Sequence, residues 1–480
     1  MKMKRTISAI LAALFLASSL TACAASGDPV ESDEGMNSAT ETETEESYFP
    51  DIEKTDYNGA TFRMIGWNIG GWYFAESYGS GQDGEGILND TIYEMNTLIE
   101  EHLGINFEME ECDEHVLGKI RPSMMAGDDT YQLCITHPYY DVSSFITKGY
   151  ALDFQDLPDF SIDQPYWNTS VMDSLSYNDH YYIGMGDICR YSIYMLYCNK
   201  NLMRDASITV PYEDVRNGTW TLDDMVGLTT DLYVDNGDGE RNNQDIFGFS
   251  ALWDVGGAAF MQAGDIYVMS RDADDNYVLS MYGDRLIDLY DRLLKWSKNQ
   301  SVYIWAYPDR ENAAVYMDFK DGRSYFTLDT LGTQYLDAKF AVGMLPMPKY
   351  DEAQADYAHV HWGNNLAIPS NIKNKAMVGQ VLELMGYYSR TLVREKYYDD
   401  VLQLRVSEAP DDRDMVERIC DTIVFDPAIA FCDSTVSISN LVYTVCLGIR
   451  GGSDNIASYY QTNERPAKKW LNSLNKRKAG

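Results

Sequence analysis

Positive charge is scarce: 38 Lys and Arg stand against 74 Asp and Glu, a formal net charge of −36 over 480 residues. Proteins bind a phosphate backbone by displacing its counterions with cations, so this balance argues against nucleic acid and favours a neutral or cationic small ligand. Histidine is rarer still, six residues with no HExxH among them. The cysteines after Cys23 are Cys112, Cys134, Cys189, Cys198, Cys420, Cys432 and Cys446. Their odd number and the absence of any CxxC or metal-ligand spacing argue against a disulfide framework, a zinc site and metal catalysis. Most read as small buried hydrophobes, with a Cys420–Cys432 bridge left open. Past the first 23 residues no run approaches the ~20 apolar residues of a membrane span, and no repeat of solenoid period is visible. What is present is apolar content of 45%, enough for two or three packed units, and an aromatic set of 36 Tyr, 16 Phe and 9 Trp.

The amino terminus has the layout of a secretory signal, residues 1–22: basic Lys2, Lys4 and Arg5, then an apolar stretch from Ile7 to Leu20. Leu20, Thr21, Ala22 and Cys23 resemble the lipobox of bacterial lipoproteins, in which the cysteine becomes the lipidated first residue of the mature chain. The segment 23–49 is then the lipidated Cys and an acidic linker rich in Ala, Ser, Thr and Glu, which cannot bury enough apolar surface to order itself. As flexible coil its reach is roughly 25–30 Å, enough to hold a globular body just off a membrane.

The body from about Tyr57 alternates strand and helix signals. Thr61–Gly66 is a short apolar strand. Thr91 and Glu94 form a capping box, and Ile92, Met95, Ile99 and Leu103 follow with helical spacing. Gln132–Thr136 is a second short strand, which makes a βαβ unit of an α/β fold with a mainly parallel sheet. A second group opens with an apolar strand over Tyr191–Asn199 and a helix capped near Thr221. Val378, Val381, Leu382 and Met385 mark a later helix. His359 and His361 alternate in a strand-like stretch, where one is expected to face outward.

Residues 194–200 (YMLYCNK), Pro211 and residues 219–224 (TWTLDD) resemble the signature of bacterial extracellular solute-binding proteins of the sugar-binding, maltose-binding-like type, family 1. Residues 84–89 (GEGILN), 148–153 (KGYALD), 319–323 (FKDGR), 342–348 (VGMLPMP) and 366–370 (LAIPS) agree with it in order, so the resemblance covers roughly residues 50 to 476. It implies a two-lobed α/β fold of the periplasmic-binding-protein type, class II, with a ligand cleft between lobes joined by a hinge. By position the first lobe is 50–190 and 364–425, the second 191–363 and 426–480. It further implies a monomer that is not an enzyme and needs no cofactor. Such a protein sits lipid-anchored on the outer face of the cytoplasmic membrane, captures a carbohydrate, an oligosaccharide by its aromatic endowment, and passes it to an ABC importer permease. The two other readings are an oligopeptide or lipopeptide receptor, which would want charged end clamps, and a secreted glycoside hydrolase, whose carboxylate pair 74 acids supply by number alone.

Loops at the carboxyl ends of open parallel sheets converge on a crevice, and a sugar pocket needs flat rings and planar polar groups. On that ground the expected ligand residues are Trp67, Asn68 and Trp72 after the first strand, Tyr139 and Asp141 after the second, and Trp253 and Asp254 after residues 247–250. Asp329 after residues 324–328 and Trp362 with Asn364 at the second crossover complete the set. Each ring could instead plug a core. Asp235, Asp238, Asn242 and Asp245 form a calcium-like loop that departs from the usual pattern, Val234 standing where the first ligand belongs, against the reading of an ordinary solvated turn.

The lipobox makes the first testable prediction. Labelled palmitate fed to a bacterial host should be incorporated at Cys23, and Cys23→Ser should release soluble protein. A Ser variant that stays with the membrane, beside an unlabelled wild type, would refute the anchor.

Overall fold

Asn58 and Gly59 lead the chain into its first strand with left-handed φ values of 55° and 72°, a conformation these two residue types adopt more readily than others. The computed structural model describes residues 49–69, 72–73, 87–112, 115–189, 192–305, 317–331, 338–396 and 410–478; the signal, Cys23 and nearly all of the linker lie outside them. Strands β1 (Ala60–Ile69), β2 (Trp72–Tyr73), β3 (Ile105–Cys112) and β4 (Leu133–Thr136) come first. Strands β5 (Tyr194–Asn199), β6 (Phe247–Leu252), the hairpin β7 (Met269–Arg271) and β8 (Tyr277–Leu279), β9 (Val302–Trp305), β10 (Ser324–Thr330) and β11 (Val342–Leu345) follow. Three short strands, β12 (His359–Val360), β13 (Asn365–Ala367) and β14 (Ile423–Val424), complete the set.

The first sheet is centred on β1, which runs parallel to both β3 and β4, while β13 returns from far along the chain to pair antiparallel with β4. The crossover helix Ile87–Leu103 buries Ile92, Met95, Ile99 and Leu103, as their spacing predicts. It begins four residues before Thr91, so the expected capping box is interior to the helix. Strand β3 escapes the sequence reading because Glu108, Glu110 and Glu111 interrupt its apolar residues: among the described strands it pairs with β1 alone, and its alternate side chains face water.

The second sheet has the order β11-β5-β10-β6-β9. Here β6, β9 and β10 are parallel to their neighbours among themselves, but β5 runs against both β10 and β11, so this sheet is more mixed than expected. Asn199 at the end of β5 caps the helix Lys200–Asp205, its side chain accepting the N–H groups of Asn201 and Leu202. Trp220 is fully buried and donates its indole N–H to the Pro346 carbonyl at 3.0 Å. Thr221 receives the expected capping box, with its N–H 2.9 Å from the Asp224 carboxylate. All seven cysteines after Cys23 are buried thiols, so the Cys420–Cys432 bridge is not formed. No described helix is long and apolar enough to cross a membrane.

Between the sheets, the connecting segments lie side by side. Trp362 donates its N–H to Ser192 O at 2.7 Å, Ile193 bridges antiparallel to His361, and β12 pairs parallel with β14. Both His359 and His361 are 0% exposed, against the expectation that one faces outward, because the stretch is covered on two edges.

The helix Pro410–Asp421, which its place in the chain allots to the first lobe, is fastened to the second sheet. Asp412 is fully buried; it pairs with Lys200, accepts the Tyr212 hydroxyl at 2.5 Å and the Met344 N–H at 2.9 Å. Arg216 adds pairs to Asp411 and to Asp414, the latter at 2.8 Å. Removing one partner of a buried ion pair leaves the other uncompensated, at a cost of about 3–5 kcal/mol. Asp412→Ala should therefore lower stability by that order in a urea melt, with Asp412→Asn losing less; an unmoved midpoint would mean that the helix docks through its apolar side alone.

Candidate functional site

The parallel strands β3, β1 and β4 end on one side of the first sheet, and the residues at and just past their ends form a connected set of rings. Half-buried Trp67 stacks over His115 with centroids 6.1 Å apart and 14° between planes, and it meets His137 at 5.2 Å and Tyr140 at 5.1 Å edge to face. Tyr140 also touches His115 and Tyr139, each at 4.7 Å. The set then crosses to other parts of the chain. His137 lies 6.5 Å from Trp362, Trp362 lies 6.4 Å from Tyr443, and Tyr139 closes the circuit to Tyr443 at 6.5 Å. Tyr139 and Ser439 share a hydroxyl hydrogen bond of 3.2 Å. Offset and edge-on contacts of this kind are the favoured arrangements for rings carrying a quadrupole.

Local structure explains the placement. Asp141 takes a left-handed φ of 67°, turning the chain out of Tyr139 and Tyr140 into the helix Val142–Lys148. Its carboxylate accepts the Leu117 N–H at 3.1 Å in the first turn of the helix Val116–Ala126, tying two helix starts together. Burial pushes the Asp141 carboxyl up from its ordinary value. Tyr139 donates its N–H to His137 Nδ1 at 3.1 Å, so the ring proton belongs on Nε2. Burial, aided by His361 and His115, pushes the His137 imidazole down to about 3. The rings thus surround a neutral imidazole.

The expected ligand residues separate into groups. Trp67, Tyr139, Asp141 and Trp362 belong to this one cluster or its turn. Trp67 and Asn68 lie within β1, which extends to Ile69, and Trp72 lies in the short strand that folds back on it. The side chains of Asn68, Trp72 and Asp254 fall outside what the structure describes. Trp253 opens a helix directly after β6, with no intervening loop; it is 3% exposed and packs against Phe260 at 5.7 Å and Trp296 at 6.2 Å, inside the second core. Asp329 is within β10, opposite Met195, and its carboxylate accepts the Thr330 N–H at 2.7 Å. Asn364 is fully buried and its carbonyl meets His361 Nε2 at 3.2 Å. His137, Tyr140 and Tyr443 were missed. The first two follow β4 directly and could have been found by the same strand-end reasoning; Tyr443 is the turn residue between the distant helices Val436–Val442 and Thr444–Arg450, with no local signal.

At the calcium-like turn, carboxylate oxygens of Asp235, Asp238 and Asp245 lie within 4.8 Å of one another. Those oxygens accept hydrogen bonds from the turn itself. Gly237 N–H reaches Asp235 at 2.6 Å, Glu240 N–H reaches Asp238 at 2.7 Å, and the buried Asp245 accepts from Asn236, Asn242 and the Tyr233 hydroxyl. Asn242 turns its amide N–H toward Asp238 at 3.1 Å.

No protein-family model and no curated protein sequence matches the chain. Solved structures do match its fold. An ABC substrate-binding protein of Listeria monocytogenes in complex with cycloalternan aligns at a TM-score of 0.57 and 14% identity, over 86% of this chain and 99% of the other. A sugar transporter protein of Rhizobium etli in an open conformation aligns at 0.60 and 13%, over 85% and 99%. The maltose/maltodextrin-binding domain of Bdellovibrio bacteriovorus bound to maltotriose aligns at 0.54 and 16%, over 86% and 100%. The chain has the two-lobed α/β fold of these sugar-binding solute-binding proteins.

The connecting segments make a prediction about pH. Burial holds the imidazoles of His359 and His361 down at about 3 and about 4, against an ordinary 6.5. Between those values the unfolded chain binds protons that the folded chain does not. These two groups therefore contribute stability that is complete above pH 6.5 and is lost as pH falls toward 4, by about 1.4 kcal/mol per pH unit each. Their ring resonances in NMR should stay put from pH 8 to 5. A titration midpoint near 6.5 for either would show that its ring is open to solvent.

Proposed function

We propose that the chain is an extracytoplasmic lipoprotein, anchored through Cys23, that captures a carbohydrate between its two lobes and delivers it unaltered to an ABC importer permease. The observation that supports this most is the ring cluster: Trp67, Tyr139, Tyr140, Trp362 and Tyr443 gather from the first sheet, the crossing segment and a late turn between two helices to one place at the strand ends. Aromatic faces suit the C–H faces of sugar rings, and the strand ends of an open α/β sheet are where ligands bind. The likeness to structures holding cycloalternan and maltotriose points the same way. Closure follows from differential binding: a ligand that touches both sides stabilises the closed state over the open one. The helix Pro410–Asp421 moves with the second sheet in this reading, because Asp412 holds it there.

A calorimetric screen of mono- and oligosaccharides tests the reading, and small-angle scattering with a ligand found in it should show a smaller radius. Within the screen, Trp67→Ala should weaken binding roughly ten- to hundredfold, on the order of 1–3 kcal/mol by analogy with other stacking platforms. Its urea midpoint should fall much less than that of Trp220→Ala, a core substitution costing about 3–5 kcal/mol. Normal binding by a Trp67 variant that melts as badly as the Trp220 variant would return that ring to the core.

A further inference from the structure

Register across the first sheet brings an unexpected side chain to the strand ends. Gly66 of β1 lies opposite Ile135 of β4, the last pair of that ladder; continuing the register one step sets Trp67 beside Thr136, and on the other edge of β4 Thr136 is the partner of Asn365 in β13. Neighbours across a sheet point to the same face, so Trp67, Thr136 and Asn365 form one row, with two strand spacings of ~4.8 Å between the outer members. The Thr136 hydroxyl is engaged, donating to the Asn365 carbonyl at 3.2 Å. The Asn365 side chain is not. It is 0% exposed, and neither its Nδ2 nor its Oδ1 has a hydrogen-bond partner among the described residues.

A buried amide without partners burdens the folded state, and the adjoining Leu366 and Ala367 show that apolar residues suit this strand. Four residues earlier, His361 repeats the feature. Its Nε2 donates to the Asn364 carbonyl at 3.2 Å, which leaves Nδ1 as a bare lone pair, and that atom is also buried without a partner among the described residues. Residues 361–365 therefore hold one unused donor group and two unused acceptors, all uncharged, with Asn365 in the row of Trp67 and His361 next to Trp362 in sequence.

We propose that Asn365 is a specificity-determining residue of the cleft, its amide reading a pair of hydroxyl groups on a sugar whose ring lies against Trp67, with His361 Nδ1 accepting a further hydroxyl proton. This rests on the carbohydrate reading above. A hydroxyl both donates and accepts, so neighbouring hydroxyls can satisfy Oδ1 and Nδ2 together. A carboxylate or phosphate could use only Nδ2 and would face two lone pairs; an ammonium would leave Nδ2 unused. The chemistry selects a neutral polyol over an ion of either sign.

The test compares wild type with Asn365→Leu, a near-isosteric apolar change. Both are melted in urea without ligand and titrated with glucose, galactose, xylose, maltotriose, cellotriose and xylotriose, then with monodeoxy analogues of whichever binds. The Leu variant should melt at the same or a higher urea concentration and bind ten- to hundredfold more weakly. One deoxy analogue should bind wild type with the same loss and bind both proteins alike, as a double-mutant cycle requires for a direct contact. A variant that melts clearly lower would make the amide part of the protein's own bonding and overturn the assignment. So would a variant that binds like wild type, with the carbohydrate reading left standing. A wild type that binds none of the six sugars would overturn that reading and take Asn365 with it.

Discussion

The pairing of β13 with β4 is the contact on which the site depends. It is three residues long, Asn365–Ala367 against Cys134–Thr136, and it closes a loop of more than two hundred residues in the chain. Leu366 also exchanges hydrogen bonds with Gly184 in an antiparallel bridge, so the strand is held on both edges. This returning strand fixes where the preceding residues must lie: His361 beside Ile193, Trp362 against Ser192, and the ring of Trp362 between His137 and Tyr443. Chain entropy opposes so long a closure only logarithmically in loop length. Three residues suffice because Leu366 and Ala367 are themselves completely buried.

Around that frame, single buried carboxylates fix the position of segments that come from distant parts of the chain. Glu383 accepts the Tyr166 hydroxyl at 2.6 Å, the Trp167 indole N–H at 3.1 Å and the Ser161 N–H at 3.2 Å, folding the stretch before the helix Thr169–Leu175 onto the helix Lys375–Tyr388. Asp426 accepts N–H groups from Val268, Met269 and Ala428 and links the last crossing to the β7–β8 hairpin. Burial raises both carboxyls, Asp426 to about 6. A raised carboxyl pKa lowers the contribution of the group to stability as pH rises through it, so these contacts specify position at some cost in stability.

What the sequence made legible follows from which interactions are local. The helix Ile87–Leu103, the buried strands β4 and β5 and the turn at Thr221 are written in short-range periodicity and capping, and they appear where expected. Strand β3 was hidden because its outward residues are glutamates. Chain order allots the helix Pro410–Asp421 to the first lobe, and its partners on the second sheet and its helices, Lys200, Tyr212 and Met344, are far away in sequence and leave no local signal. Of the rings gathered at the strand ends, strand-end reasoning reached Trp67 and Tyr139; it also named Trp253, whose ring lies in the second core because β6 passes into a helix without a loop. Asn365 was passed over for its neighbour Asn364; period two decides which of the two faces the row of Trp67, and only the register with Thr136 shows it.

The acidity of the chain and the neutrality of its cleft belong together. A net charge of −36 surrounds the chain with a negative potential that disfavours anionic ligands before they arrive. Inside, His137 and His361 are held uncharged by burial, and the polar groups left over are an amide and an imidazole lone pair. A charged side chain at the same place would bind an ion more tightly, yet it would itself need a partner whenever the cleft is empty, since an uncompensated buried charge costs far more than an uncompensated amide. An unpaired amide is a cost the empty protein can carry. In the proposed reading, neutral recognition groups suit a preformed site around these rings and select ligands whose own polarity is carried by hydroxyls.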